Sequence, residues 1–347
     1  MNTQKNRAEL IDVNRKIKIA QIGTSTNSHG NDIFNCIKRN SDMFEIVGYC
    51  LPENEREKFP NRMGDFNGYR ELSLDEILKN PEIAAVTVET EEIYLTKYAQ
   101  MAAEHKKHIH MEKPGSLSYA DFGKLIDTVK NNKTVFHTGY MYRYNPYINE
   151  LKKQIKNGEL GDIISVEAQM NCNHPKELRE WLGNFPGGMM FFLGCHLVDL
   201  IYSIMGEPKN VVPFNRCSCV EGVVADDFGM AVFEYENGIS FAKTSAVEIG
   251  GFERRQLVVS GTKKTVELKP LEWYAEGGTV TERYVRETPD WYSVTEKERS
   301  TPSDRYDSMM RSFGEMVLGK KENPYSYDYE LGLHKLILKS CGINVKA

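Results

Sequence analysis

The sequence predicts an α/β chain of two domains. A doubly wound parallel sheet spans residues 1–138, and an α+β domain with an open, mainly antiparallel sheet spans 139–347. Three observations predict this. Short apolar strands alternate with amphipathic helices as far as Thr138, the pattern of a parallel sheet covered on both faces. Residues 83–88 form a continuous apolar run, as expected of a strand buried on both sides. Beyond Tyr140 the alternation stops, and strands joined by short turns take over until helices return near the end.

In chain order, residues 16–22 read as the first strand, 23–30 as a loop of small residues, 31–39 as a helix and 44–51 as the second strand. Ser73-Leu74-Asp75-Glu76 is a capping box before a short helix that stops ahead of Pro81. The strand at 83–88 is followed by a helix at 93–105, a strand at 108–111, a helix capped by Ser118 and running to Lys130, and a strand at 134–138. In the second half, a helix at 146–157 leads into a long alternating strand at 163–173. An irregular stretch with Trp181, Pro186, Gly187 and Gly188 precedes a helix over 189–205. Strands dominate from Val211. Asn237-Gly238 is a hairpin turn between 228–235 and 239–244, and residues 261–264 turn between 257–260 and 265–268. Helices close the chain at 303–318 and 328–341, the last able to pack back on the first domain.

At 347 residues, 40% hydrophobic and 27% charged, the chain has the composition of a soluble globular protein. Its net charge of −5 argues against nucleic acid or an anionic membrane as the main partner and favours a small molecule. Residues 1–16 carry Lys5, Arg7, Arg15 and Lys16 around no apolar segment, unlike a secretory signal, and no stretch approaches the ~18 apolar residues of a membrane span. A cytoplasmic protein is expected. The seven cysteines then read as reduced and mostly buried. Cys217-Ser218-Cys219 has the wrong spacing for a zinc knuckle or a redox pair, and no chemistry is assigned to it.

Four segments carry candidate chemistry. Gly23, Thr24, Ser25, Thr26 and Asn27 lie between the first strand and first helix, where a tight turn and an approachable backbone cradle a pyrophosphate; a plain strand–helix turn accounts for them equally. The acid that would hold the ribose after the second strand is absent, Leu51 standing there, and Arg56 is too far along to count as a phosphate reader. Glu112-Lys113-Pro114 follows a strand at its carboxyl end, near the crevice where open α/β sheets bind ligands. His196 sits on an apolar helix with Asp199 three residues on, on the same face. Asn171 and His174 end the preceding strand. A satisfied core histidine is the bland reading, a polar site in an apolar setting the sharper one. A metal held by His174, His196 and Asp199 is poorly supported, because no spacing fixes three ligands. Arg143-Tyr144-Asn145-Pro146 joins the domains as a hinge turn, and with Tyr140 and Tyr142 would suit contacts to a sugar.

In succession, these segments resemble the family of glucose–fructose oxidoreductase, inositol dehydrogenase and the rhizopine catabolism protein (Gfo/Idh/MocA). The likeness runs from Lys16 through the glycine loop, Glu112-Lys113-Pro114, Arg143-Tyr144-Asn145-Pro146, Gly158-Glu159-Leu160-Gly161, the glycines and His196 between Gly187 and Leu200, Gly206-Glu207-Pro208 and Gly261-Thr262. It implies a Rossmann domain that binds NAD or NADP through Gly23, Thr24, Ser25, Thr26, Asn27, Leu51, Thr90, Glu112 and Lys113. It further implies a second domain that packs in homo-oligomers, dimer or tetramer, and oxidation or reduction of a sugar, cyclitol or related polyol. By position, Lys113 would bind the reacting oxygen and His196 would be general base or acid, with Arg143, Tyr144, Asn171, His174 and Asp199 lining the substrate side. No metal is implied. Two departures stand out. Phe192 replaces an aspartate four residues before the histidine, and Thr90-Glu91-Glu92-Ile93-Tyr94-Leu95 replaces a Thr-Pro-Asn segment with a following histidine. A ligand-binding or regulatory protein that has lost redox activity, and an enzyme using bound NAD for glycoside cleavage without net redox, are the alternatives these departures leave.

Overall fold

The structure is a computed structural model that describes residues 16–287 and 296–345. The reading made of residues 1–15 lies outside the described residues. Five parallel strands, β1 (Ile17–Ile22), β2 (Phe44–Cys50), β3 (Ala85–Val88), β4 (His108–Met111) and β5 (Phe136–Thr138), form a sheet of order β2-β1-β3-β4-β5. All four residues of β3 are buried, as its unbroken apolar run requires. The crossovers are α1 (Gly30–Arg39), α2 (Glu55–Lys58), α3 (Leu74–Lys79), α4 (Leu95–Glu104) and α5 (Tyr119–Asn132). Ser73 and Glu76 exchange the two capping-box hydrogen bonds at the start of α3, and Ser118 Oγ accepts from the Asp121 N–H at the start of α5. The reversal of strand order between β1 and β3 opens the crevice in which such sheets bind ligands.

The second half is built from α6 (Pro146–Lys156), β6 (Ile163–Asn171), α7 (Lys176–Trp181), α8 (Cys195–Met205), β7 (Asn210–Arg216), β8 (Phe228–Tyr235), β9 (Gly238–Ser245), β10 (Gln256–Gly261), β11 (Thr265–Leu268), β12 (Trp273–Ala275), β13 (Gly278–Val280), β14 (Glu282–Arg286) and β15 (Glu296–Arg299). Eight of these strands form one sheet, in the order β15-β14-β11-β10-β6-β9-β8-β7, in which β6 and β9 run parallel and the other neighbours antiparallel. The helices α9 (Asp307–Val317) and α10 (Tyr327–Ser340) then return to the first sheet. Arg39 of α1 pairs with Asp307 of α9 at 3.0 Å, and Arg311 of α9 with Asp42 in the turn after α1 at 3.1 Å. The His334 ring of α10 stacks on Phe122 of α5 at 4.0 Å. One apolar cluster lies under α4 and α5; a larger one runs from α1 and α9 through α8 into the eight-stranded sheet.

Four expectations are corrected. The single helix over 189–205 is a wider π-turn, Met190–Gly194, followed by α8. The hairpin turn falls one residue early: Tyr235 pairs with Gly238, leaving Glu236 and Asn237 at the turn. Gly238 is needed because a side chain there would run into the Ile164 carbonyl. Strands β12 and β13 are three residues long and β14 and β15 are rich in charge, so their alternation is hidden in the sequence. Finally, Cys217 and Cys219 lie past the end of β7, where the left-handed backbone of Cys219 (φ 57°) brings their sulfurs to 3.2 Å. The other five cysteines are buried thiols.

Candidate functional site

Lys113 emerges from the end of β4 and is completely buried. Its ammonium lies 3.4 Å from Glu112 Oε1, donates to the Phe192 carbonyl at 3.1 Å and faces the Phe192 ring at 4.4 Å. The π-turn is what presents that carbonyl and ring to the lysine, an irregularity often found at functional sites. Burial alone would pull the lysine's pKa down; the carboxylates of Glu112 and Glu92 outweigh it, and the net effect holds the lysine above its ordinary value and charged.

His196 stands in the first turn of α8, 1% exposed, edge-on to Tyr140 and Tyr142 with centroids 5.7 and 5.5 Å away. Neither ring nitrogen has a hydrogen-bond partner. Burial, and then the charge of nearby Lys113, push its pKa well down, so the imidazole is neutral. Asn171 at the end of β6 is fully buried with both amide atoms unpartnered, and His174 Nε2 is likewise orphaned. Buried polar atoms without partners are rare and call for an explanation, and a polar ligand would satisfy them; the His174 ring lies 6.5 Å from the Phe192 ring that covers Lys113.

Arg143, Asp199 and Tyr144, read from the sequence as substrate contacts, each have partners within the protein. Arg143 donates from Nε and Nη2 to Asp199 at 3.0 and 2.8 Å and from Nη1 to Glu330 of α10 at 2.5 Å. Tyr329 donates a further hydrogen bond to Asp199 at 2.9 Å. A guanidinium this deeply buried requires carboxylate partners on its fixed fork, and α10 brings one from 187 residues away. The Tyr144 hydroxyl lies 2.6 Å from His137 Nε2.

On the nucleotide side, Gly23 turns with φ +87°, and a side chain there would collide with Thr90. The Thr24 N–H donates to Glu55 at 2.9 Å, the Ser25 N–H to Ser28 Oγ at 3.1 Å and the Asn27 N–H to Ser25 Oγ at 3.2 Å; Thr26 is exposed. Leu51 packs on the cluster of Phe34, Tyr49 and Phe66. Glu55 was missed in the sequence because no pattern marks it. The left-handed residues Glu53 and Asn54 (φ 57° and 59°) turn the chain back and insert it beneath the loop. Burial pushes Glu55 and Glu92 each up to about 8, and burial with the Glu112 charge pushes Glu89 well above the carboxylate range. Arg56 pairs with Glu71, whereas Arg62 reaches Thr24 Oγ1 at 3.4 Å and the Ser28 carbonyl at 3.1 Å. The Thr24 amide thus already has an acceptor within the protein, the Glu55 carboxyl. A dinucleotide phosphate would have to displace Glu55 to reach the Thr24 amide. Among the described residues no three His, Cys, Asp or Glu side chains gather as a metal site would need, and no helix is long and apolar enough to cross a membrane.

Residues 6–140 match the model of the oxidoreductase family with an NAD-binding Rossmann fold, and residues 148–267 match the GFO/IDH/MocA C-terminal domain. The chain belongs to the GFO/IDH/MocA family. It is therefore an oxidoreductase of the dehydrogenase/reductase kind, with NAD or NADP as cofactor. It is similar to an uncharacterized oxidoreductase, ORF334, of Rhizobium meliloti, 22% identical over 76% of this chain and 79% of that protein. It also resembles the myo-inositol 2-dehydrogenase of Thermotoga maritima, 24% identical over 61% of this chain and 63% of the relative. A levoglucosan dehydrogenase in complex with NADH and levoglucosan shares the fold, with TM-score 0.76 and 17% identity over 94% of this chain and 98% of that one. GFO/IDH/MocA proteins as distant as these share architecture with this chain, so its reaction has to be argued from its own residues.

Proposed function

We propose that this GFO/IDH/MocA protein oxidises or reduces a CH–OH carbon of a sugar, cyclitol or related polyol, with Lys113 and His196 handling the proton. The observation that carries the reading is the pairing of a charged, buried lysine from the first sheet with a neutral histidine of the second domain whose ring nitrogens are both free. In the oxidising direction Lys113 stabilises the oxyanion that forms as the hydroxyl proton leaves, and His196 takes that proton; in reduction the roles reverse. A bound nicotinamide supplies the hydride acceptor or donor. Asn171 and His174 hydrogen-bond neighbouring hydroxyls of the substrate through their free polar atoms. The Phe192 ring, stacked edge-on with Trp181 at 5.2 Å, offers an apolar face to the C–H side of a ring. Similarity to a myo-inositol dehydrogenase and a levoglucosan dehydrogenase supports this substrate class. Homo-oligomeric assembly and a cytoplasmic location belong to the same reading.

The test combines NADH and NADPH titration, followed by reduced-nicotinamide fluorescence, with a polyol screen of the wild type and of Lys113→Met. Saturable binding, turnover of a polyol and loss of that turnover in the folded variant are expected. Turnover unchanged in Lys113→Met overturns the assignment of the lysine. A folded protein that binds neither nucleotide shifts the reading to a ligand-binding or regulatory role.

A further inference from the structure

Four buried polar side chains cross the five-stranded sheet side by side: Gln21, Thr87, His110 and His137, in register on β1, β3, β4 and β5. Such a row is costly in the core of a parallel sheet unless its members are partnered. At one end the two imidazoles face each other, His110 Nδ1 lying 2.7 Å from His137 Nδ1. His137 Nε2 lies 2.6 Å from the Tyr144 hydroxyl. His110 Nε2 lies 3.6 Å from Glu89 Oε1, and neither of these two atoms has another partner. Glu89 follows β3 as Glu112 follows β4, so the two carboxyls stand at adjacent strand ends, beside the Lys113 ammonium. At the far end Tyr144 lines an open polar cavity of about 470 Å³, together with Ser308 and Lys321.

We propose that Glu89, His110, His137 and Tyr144 form a proton path from the buried Lys113–Glu112 pair to that cavity. The inference rests on the reading of Lys113 and His196 as the proton-handling pair. Those two residues are at most 1% exposed, so a proton released on oxidation needs a way out. The path works by reversal of polarity. With Glu89 protonated, its O–H donates to His110 Nε2, the His110 Nδ1–H to His137 Nδ1, the His137 Nε2–H to Tyr144, and the Tyr144 O–H toward the cavity. When each group passes its proton one place along, Glu89 becomes a carboxylate, one proton leaves at Tyr144, and every hydrogen bond points the other way; the proton that oxidation releases, handed on from His196 through the Lys113 ammonium beside Glu89, then reprotonates that carboxylate. No bond to carbon forms or breaks, and both imidazoles stay neutral throughout. Burial favours those forms: it pushes His110 down to about 3 and His137 well below its ordinary value, while burial and the Glu112 charge raise Glu89. Closing the gap between Glu89 and His110 takes about half an ångström of side-chain movement.

The experiment is the solvent exchange of the His110 and His137 ring protons, followed by NMR in histidine-labelled wild type, Tyr144→Phe and His110→Gln. The glutamine keeps a donor and an acceptor but cannot reverse polarity. The path predicts that loss of the Tyr144 hydroxyl slows exchange of the His137 proton by on the order of tenfold or more, with the fold intact by circular dichroism. With a polyol substrate in hand, kcat should fall in both variants by a similar factor at unchanged KM, as for loss of a proton-transfer group. Equal exchange rates in wild type and Tyr144→Phe overturn the path. So do wild-type kcat values in both variants, an outcome that leaves the dehydrogenase reading standing. Exchange that depends on Tyr144 in a protein with no polyol turnover supports the path and removes the reading it rests on. If Tyr144→Phe fails to fold, the exchange and kcat of His110→Gln decide alone.

Discussion

Replacing Glu55 by Gln should stabilise the protein at neutral and alkaline pH and change little at pH 5. The side chain is fully buried beneath the glycine loop, accepts the Thr24 N–H at 2.9 Å with one oxygen and leaves the other unpartnered. Burial raises its pKa from the ordinary 4.5 to about 8. An acid whose pKa is raised by folding binds more protons in the folded state than in the unfolded one between those two values. Stability therefore falls as pH rises through 4.5 and levels off above 8. At about 1.4 kcal/mol per pH unit, the loss attributable to Glu55 reaches about 3 kcal/mol at pH 7. Glutamine keeps the acceptor for Thr24 and carries no charge, so Glu55→Gln escapes that loss. Glu92, raised in the same direction, acts in both proteins and cancels in the comparison. Thermal unfolding from pH 5 to pH 8 is the assay. The loss grows to about 4 kcal/mol at pH 8 and is below about 1 kcal/mol at pH 5, so at about 2 °C per kcal/mol for a chain of this size the variant should melt about 9 °C above the wild type at pH 8 and about 2 °C above it at pH 5. A gap independent of pH, or a variant less stable at pH 8, refutes the reasoning.

Arg143→Met strands the Asp199 and Glu330 carboxylates in the core and should cost about 3–5 kcal/mol, read as a drop in the denaturant midpoint; a cost below about 1 kcal/mol would show that water reaches the network. Phe192→Asp puts a carboxylate where the ring now covers the Lys113 ammonium at 4.4 Å, and should raise kcat on a polyol substrate if the family mechanism operates; an unchanged or lower kcat speaks against it. The sulfurs of Cys217 and Cys219, 3.2 Å apart near the surface, should bind a dithiol-bridging arsenical one-to-one in the native protein, with the five buried thiols silent by mass spectrometry; labelling of a third cysteine contradicts their burial.

Much of the fold can be read directly from local pattern. The all-buried β3, the reciprocal Ser73–Glu76 cap and the Ser118 cap each depend on residues a few positions apart, and each stands where the sequence places it. The π-turn is different. The residues of 189–205 read as one continuous helix, and the wider turn that aims the Phe192 carbonyl and ring at Lys113 is seen only in the structure.

The sequence by itself determined the five-stranded parallel sheet, the strand-rich second half, and the positions of Lys113 and His196, because strand period, caps and short motifs are local. Only the tertiary structure decided what the remaining charged and polar residues do. Arg143 and Asp199 looked open to a substrate until α10 delivered Glu330 to them. Glu55 carried no mark until two left-handed residues folded it under Thr24, and His110 and His137 met only because β4 and β5 lie side by side. The physical reason is the same in each case: a buried charge or imidazole takes its state from groups distant in the chain, and no local pattern records which of them folding brings within hydrogen-bond reach.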